Sequence, residues 1–129
     1  MALTLSEIFG SNDMKLLKVP MPEWGGDVFI RCMTGTERED YETLLLSKVK
    51  DGKLADNRGL KQKLISLTLC DDKGKRLLES QTDVTKLFGK SAAALQRLFV
   101  QAQSHNALLD SDIEAAAKNS EATEPAVSG

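Results

Sequence analysis

The 129-residue sequence contains few of the side chains on which most catalysis and metal binding depend. It has one histidine, His105, and two cysteines, Cys32 and Cys70, which lack the C-x-x-C spacing of a redox or zinc site. Three soft ligands at scattered positions do not predict a closed metal site. A Cys–His dyad is formally possible, but no motif supplies the orienting group or the oxyanion hole that a thiol nucleophile needs. We therefore predict no catalytic residue, no metal and no cofactor, and two reduced cysteines buried as small hydrophobic side chains.

Long apolar runs and a strong charge bias are also missing. No segment approaches the roughly 20 apolar residues of a membrane span, and residues 1–13 lack the basic region and apolar run of a signal peptide. The net charge of −2 provides no general attraction to nucleic acids or to anionic membranes. These absences predict a cytosolic protein with neither a nucleic acid nor a membrane as partner.

The charge that is present is unevenly distributed. Residues 110–129 contain five acids and one lysine, whereas residues 48–63 contain six basic side chains and two acids. Such a basic stretch could contact an acidic partner or a phosphate backbone. A solvated surface is favoured, because the stretch holds no aromatic residue that could stack on bases.

Hydrophobic periodicity predicts an α+β fold with a small antiparallel sheet of two hairpins. The first hairpin spans about 14–33, with alternating apolar residues from Val28 onward and a Gly25-Gly26 turn beside Trp24. The second spans about 68–78, with a turn at residues 71–75. The same pattern predicts four to five helices packed with this sheet.

Apolar spacing and capping motifs locate these helices. Thr36 with Glu39 is predicted to start the first of them, and Asn57, Thr82 and Ser91 are predicted to cap later ones. An additional short helix is expected after Thr4, which forms a capping box with Glu7. The predicted helices span about 36–50, 58–67, 82–88, 91–109 and 111–118. Residues 1–118 are predicted to form a single domain, and residues 119–129 a disordered tail without apolar periodicity.

Four pieces of the sequence occur in an order that is typical of one family. They are Val19-x-x-Pro22-Glu23-Trp24-Gly25-Gly26, then Thr34-Gly35-x-Glu37-Arg38-x-x-Tyr41-Glu42, then Leu64 to Asp71 with Gly74-Lys75, and last Lys90-Ser91-Ala92-Ala93-Ala94-Leu95-x-x-Leu98-Phe99. Over roughly residues 14–119, this order resembles the tail assembly chaperones of long-tailed, lambda-like phages (siphoviruses) and prophages.

The resemblance implies a non-enzymatic assembly factor that works in the cytoplasm of the bacterial host and is absent from the mature virion. Members of this family bind the long helical tape-measure protein while the tail tube is built. A programmed ribosomal frameshift near the end of the gene yields a longer form, whose extra domain recruits tail-tube subunits. The present chain would be the short, unshifted form, with the shift expected at Ala117-Lys118-Asn119, which GCA AAA AAC can encode with a slippery heptamer.

Candidate contacts with such a partner are Trp24, Leu46, Lys48 and Lys50. Trp24 could either cover the core of its own hairpin or anchor a partner, because tryptophan is enriched in interface hot spots. A homo-oligomer or a spiral coat would suit the coating of one long partner. The alternatives are a structural minor tail or connector protein retained in the virion, a thiol enzyme using Cys32 or Cys70, and an α+β adaptor with an unrelated partner.

Overall fold

A computed structural model describes residues 1–55 and 58–107. The α+β class is confirmed, and the elements alternate along the chain in a mixed order. Their bounds are α1 Leu5–Gly10, β1 Leu16–Met21, β2 Gly26–Arg31, α2 Gly35–Ser47, β3 Val49–Lys50, β4 Lys53–Leu54, α3 Leu60–Thr68, β5 Leu69–Cys70, α4 Gln81–Leu87 and α5 Ala92–His105. The predicted helix 111–118 and the predicted tail 119–129 lie outside the described residues.

The first predicted hairpin is confirmed as β1 paired antiparallel with β2, in a register that runs from Leu16 opposite Arg31 to Met21 opposite Gly26. A 3-10 turn at Pro22–Trp24 joins the strands. Gly25 ends this turn with φ +78°, the left-handed conformation that glycine adopts without strain. The glycine turn and the alternating strand were therefore sufficient to predict this hairpin, because a local turn fixes the register of both strands.

The second predicted hairpin, 68–78, is wrong in its pairing. The turn forms, with the carboxylate of Asp71 accepting the N–H groups of Lys73 and Lys75. However, β5 pairs with β2 and completes a three-stranded sheet in the order β1-β2-β5. The returning chain contributes one isolated bridge, from Cys70 to Arg76.

Helix α2 differs from its prediction at both ends. Thr34, not Thr36, is the N-cap, and it forms a reciprocal capping box with Glu37. The helix ends at Ser47 instead of 50, because residues 49–50 and 53–54 form a small separate hairpin. Its turn residues, Asp51 and Gly52, have φ of 53° and 74°, and two positive angles are what a tight two-residue hairpin turn requires.

The remaining helices form with smaller corrections. Helix α3 follows Gly59, and its predicted cap Asn57 lies outside the described residues. Ser80, not Thr82, caps α4, with its hydroxyl accepting the N–H of Asp83. Ser91 caps α5 as predicted, but this helix ends at His105 instead of 109.

The core lies where α5 packs against α3 and against the β1-β2 hairpin. Helix α3 is the most enclosed helix, with five of its nine residues buried. Side chains of the hairpin, α2, α3 and α5 are fully enclosed, among them Met21, Ile30, Tyr41, Leu64 and Leu98. Burial raises the pKa of the Tyr41 phenol to about 12.

A polar junction, formed by Arg31, Glu37, Arg76 and Asn106, ties the sheet to the helix ends. The two arginines donate from Nε to the last carbonyls of α3, Leu67 and Ser66 respectively, which have no partner within the helix. Arg31 also pairs with Glu37, and Arg76 lies 4.0 Å from the same carboxylate. Asn106 accepts the N–H of Met33 at 2.7 Å.

Candidate interaction surface

The Trp24 turn is anchored to the body of the protein. Trp24 is half-buried and packs against the core, so a large part of its side chain covers the protein's own hairpin. Next to it, Glu23 accepts a hydrogen bond from Arg97 of α5 at 2.6 Å. This hydrogen bond holds the pKa of the Glu23 carboxyl below its usual value. The turn thus fixes the hairpin on α5 and leaves Trp24 partly accessible.

The other three predicted contact residues lie in one continuous stretch, at the end of α2 and the start of β3. Leu46 is 36% exposed and Lys50 is exposed, whereas Lys48 is half-buried at the C-cap of α2. Because Trp24 lies at the end of the hairpin, the four candidates divide between two surfaces. The surface at the end of α2 is the more accessible.

A shallow groove between α2 and α3 reaches Ser47 at the end of α2, and sequence reasoning missed it. One part has a volume of about 450 Å³ and is lined by Asp40, Thr43, Leu44, Ser47 and Lys63. A second part, of about 270 Å³, shares Leu44 and Lys63 with it and continues towards the start of α4. Residues from three separate helices form this groove, so no local motif could predict it.

Helix α1 is the second surface that the sequence did not reveal. Its capping box is confirmed, with the Thr4 hydroxyl accepting the N–H of Glu7 at 3.2 Å. None of its residues is buried, although Leu5, Ile8 and Phe9 are 65%, 49% and 76% exposed. The motif correctly predicts a helix start, but it carries no information on what covers the helix.

The structure brings Cys32 and His105 together, with the thiol sulfur 3.6 Å from Nε2 of the imidazole. The same Nε2 atom lies 2.8 Å from the carbonyl oxygen of Lys15, which can only accept a hydrogen bond. The geometry thus assigns the proton to Nε2, and the lone pair that would activate the thiol is not directed at it. His105 thus ties Lys15, just before β1, to the end of α5, and its contact with Cys32 does not form an activated nucleophile.

The two cysteines differ in accessibility. Cys70 is buried as predicted, and burial raises the pKa of its thiol. The prediction that Cys32 is also buried is wrong, because the loop after β2 leaves it half-exposed. Within residues 1–55 and 58–107, there is no group of three or more His, Cys, Asp or Glu residues that could hold a metal ion. In the same ranges no helix is long and apolar enough to cross a membrane.

The α+β fold of this chain is similar to that of a solved structure. The solved structure of the bacteriophage HK97 tail assembly chaperone is similar to this chain, with a TM-score of 0.53. The two chains are 18% identical, and the similarity covers 82% of this chain and 93% of the other. The sequence matches no model of a known family and no curated protein. At this level of identity the similarity establishes a shared fold, and the fold implied by the family resemblance is thereby confirmed.

Proposed function

We propose that this protein is a tail assembly chaperone: a non-enzymatic factor that binds the tape-measure protein of a long-tailed phage or prophage and helps to recruit tail-tube subunits. The observation that carries this proposal is the structural similarity to the HK97 chaperone, which extends over 93% of that chain. The four ordered sequence pieces support it independently, because they fall on the β1-β2 hairpin, the start of α2, the α3-β5 segment and the start of α5.

The physical task of such a factor explains why no deep site is needed. A tape-measure protein exposes long apolar helical stripes until the tube covers them. A chaperone that coats these stripes needs weak, repeated contacts that tube subunits can displace, and repetition along one partner supplies avidity. A shallow surface at the end of a helix is suited to this task.

The client surface in this proposal is the end of α2 with its adjoining groove. Leu46 supplies an exposed apolar contact, and Lys50 and the half-buried Lys48 add positive charge beside it. Along the groove, Leu44 provides an apolar wall between Asp40 and Lys63. A helix with an apolar stripe and flanking charges of both signs matches this lining. The half-buried Trp24 is a second, smaller contact.

Co-expression with an affinity-tagged tape-measure protein tests the proposal. We expect the wild-type chain to be captured and to keep the tape-measure protein soluble. Leu46→Asp should lose both effects, because it places a charge where an apolar stripe would dock. Val100→Asp is the matched control, since Val100 is a similarly exposed apolar residue on another helix. Equal capture of both variants would show that the end of α2 does not contact the tape-measure protein.

The place of action distinguishes this function from that of a structural component. The proposed chaperone acts in the cytoplasm of the host and leaves before the virion is complete. Mass spectrometry of purified virions should therefore detect no peptides of this chain. Their presence in stoichiometric amounts would favour the minor tail or connector protein instead.

A longer form made by frameshifting is also proposed, with the slip at Ala117-Lys118-Asn119. These residues lie outside the described part of the chain, and the proposal for them rests on the resemblance and on the codons that they permit. The extra domain of the longer form would bring in tail-tube subunits. Reading the gene tests this: GCG AAG AAT at these codons would abolish the slippery heptamer, and the absence of an overlapping shifted frame would end the idea.

A further inference from the structure

The groove between α2 and α3 is formed by one face of each helix. Its residues have the i, i+4, i+7 spacing of a single helix face on both sides: Asp40, Leu44 and Ser47 from α2, and Gly59, Lys63 and Ser66 from α3 and its N-cap. The two helices run antiparallel, because Arg31 bonds both Glu37 at the start of α2 and the carbonyl of Leu67 at the end of α3. The groove is therefore a continuous channel with two parts of different chemistry.

The larger part, of about 450 Å³, suits an apolar side chain. The hydroxyls of Thr43 and Ser47 donate to carbonyls of their own helix, at Glu39 (2.9 Å) and Leu44 (2.6 Å). Because these hydroxyls already have partners, covering them with an apolar group costs little. The half-buried Leu44 supplies an apolar wall, and Asp40 on the opposite side disfavours a carboxylate in this part.

The smaller part, of about 270 Å³, suits an anion. Gln62, Lys63 and Gln81 line it with N–H donors, and none of the described residues that line it is acidic. Within residues 1–55 and 58–107, no hydrogen bond or ion pair engages these three side chains. The Ser66 hydroxyl, in contrast, donates to the carbonyl of Lys63 at 2.8 Å. A carboxylate can accept from an ammonium and from amides at the same time, and such charge-assisted hydrogen bonds are the strong ones.

The two parts are adjacent, since Leu44 and Lys63 line both of them. Groups that fill them must therefore be neighbours on the partner. On a helix, side chains three or four residues apart are neighbours, with about 5–6 Å between their Cβ atoms. A helix that lies in the groove can thus place a large apolar side chain in one part and an acid in the other.

We propose that this groove binds helices in which a large apolar residue and a glutamate or aspartate are one helical turn apart. The apolar side chain packs on Leu44, and the carboxylate accepts from Lys63 and from the amides of Gln62 and Gln81. A lysine in place of the acid would face Lys63 and be repelled. This inference rests on the proposed function, because it specifies which helices of the tape-measure protein the client surface takes.

Binding of labelled helical peptides, followed by fluorescence anisotropy, tests this preference. The first peptide carries the pair Leu-x-x-x-Glu on an otherwise Ala- and Gln-rich helix, and it is also made with the pair in reverse order. In the second peptide a lysine replaces the glutamate, and in the third a serine replaces the leucine. The wild-type chain should bind the first peptide, in one order or the other, roughly tenfold more tightly than the second or the third.

A charge exchange gives the decisive result. Lys63→Glu should reverse the preference, so that the lysine peptide binds more tightly than the glutamate peptide. An unfolded variant could not gain affinity in this way, so the result does not depend on unchanged stability. Lys61→Glu is the matched control, because it makes the same charge change on α3 at a position that does not line this groove. It should keep the wild-type preference.

Equal affinity of the wild type for all peptides, binding of none of them, or a Lys63→Glu variant without the reversed preference would each overturn the inference. Capture of the tape-measure protein and its loss in Leu46→Asp are measured separately. Capture without any peptide preference would contradict the inference alone. A peptide preference without capture would contradict the proposed function and leave the chemistry of the groove established.

Discussion

Helices α1 and α2 begin with the same local motif and have opposite surroundings. In both, a threonine hydroxyl accepts the N–H of a glutamate three residues later, at 3.2 Å, and the glutamate accepts the threonine N–H in return. In α1, every residue of the motif is exposed. In α2, Glu37 also pairs with Arg31, and the helix buries Tyr41 and Leu45. A capping box thus fixes where a helix starts, and tertiary contacts decide whether that helix belongs to the core.

The largest expected difference between the two motifs is in stability. Glu37→Ala should lower the free energy of unfolding by about 2–3 kcal/mol, because it leaves the nearly buried Arg31 guanidinium without its partner. Glu7→Ala should leave it unchanged, since α1 is not packed on the core. Urea unfolding followed by circular dichroism measures both. Equal losses in the two variants would contradict the contrast.

A second test replaces Asn106, the C-cap residue of α5, which is part of the polar junction. Asn106→Ala should cost about 2 kcal/mol, because the buried N–H of Met33 loses its acceptor. The control is Ser104→Ala, an exposed position on the same helix. A loss in Asn106→Ala no greater than that in Ser104→Ala would mean that the end of α5 is not coupled to the body.

A smaller effect is expected from the backbone of the β1-β2 turn. Gly25→Ala should cost about 1 kcal/mol, because an L-residue is strained at φ +78° although no atom lies within 4 Å of the added Cβ. Gly26→Ala, where the space is equally open and the backbone is not left-handed, should be neutral or slightly stabilising. Thermal unfolding of both variants measures the difference. A neutral Gly25→Ala would contradict this prediction and would show that the turn, like α1, can be changed without loss of stability.

The smallest expected effect is on the pH dependence of stability. Burial pushes the pKa of Glu37 upward, but hydrogen bonding to Thr34 and the charges of Arg31 and Arg76 together hold it below 4.5. The unfolded chain therefore takes up this proton first as the pH falls. The stabilisation from Glu37 is fully present well above the pKa that this carboxyl has in the unfolded chain, and it is lost as the pH falls through the lower folded pKa.

Urea midpoints measured from neutral pH to below pH 4.5 should show this loss in the wild type and less of it in Glu37→Gln. The capping-box hydrogen bonds from Thr4 also lower the pKa of Glu7. Glu7→Gln should nevertheless follow the wild-type profile, because opening of α1 does not unfold the core. A flatter profile in Glu7→Gln would couple α1 to the fold.

The parts of the fold that sequence predicts are those that neighbouring residues determine. The β1-β2 hairpin follows from its alternating strand and its glycine turn, and the start of α5 follows from Ser91. The start of α2 could not be chosen locally, because Thr34 with Glu37 and Thr36 with Glu39 both fit a capping box. Arg31, from the preceding strand, selects Glu37 through its second carboxylate oxygen.

The pairing of β5 and the interaction surfaces lie beyond local sequence for the same reason. Leu69 pairs with Ile30, which is far away along the chain. Strand β5 therefore pairs with β2 and not with the returning chain of the hairpin that was predicted at 68–78. Asp51-Gly52 is different, since an Asp-Gly pair is itself a hairpin signal that was interpreted as a helix end. The groove between α2 and α3 collects residues from three helices, and only the folded chain brings these together.

The contact between Lys15 and His105 has a consequence for the layout of the whole molecule. The start of β1 and the end of α5 are neighbours, because Nε2 of His105 lies 2.8 Å from the carbonyl oxygen of Lys15. Such proximity suits circular permutation, in which the two ends are joined by a short linker and new ends are opened elsewhere.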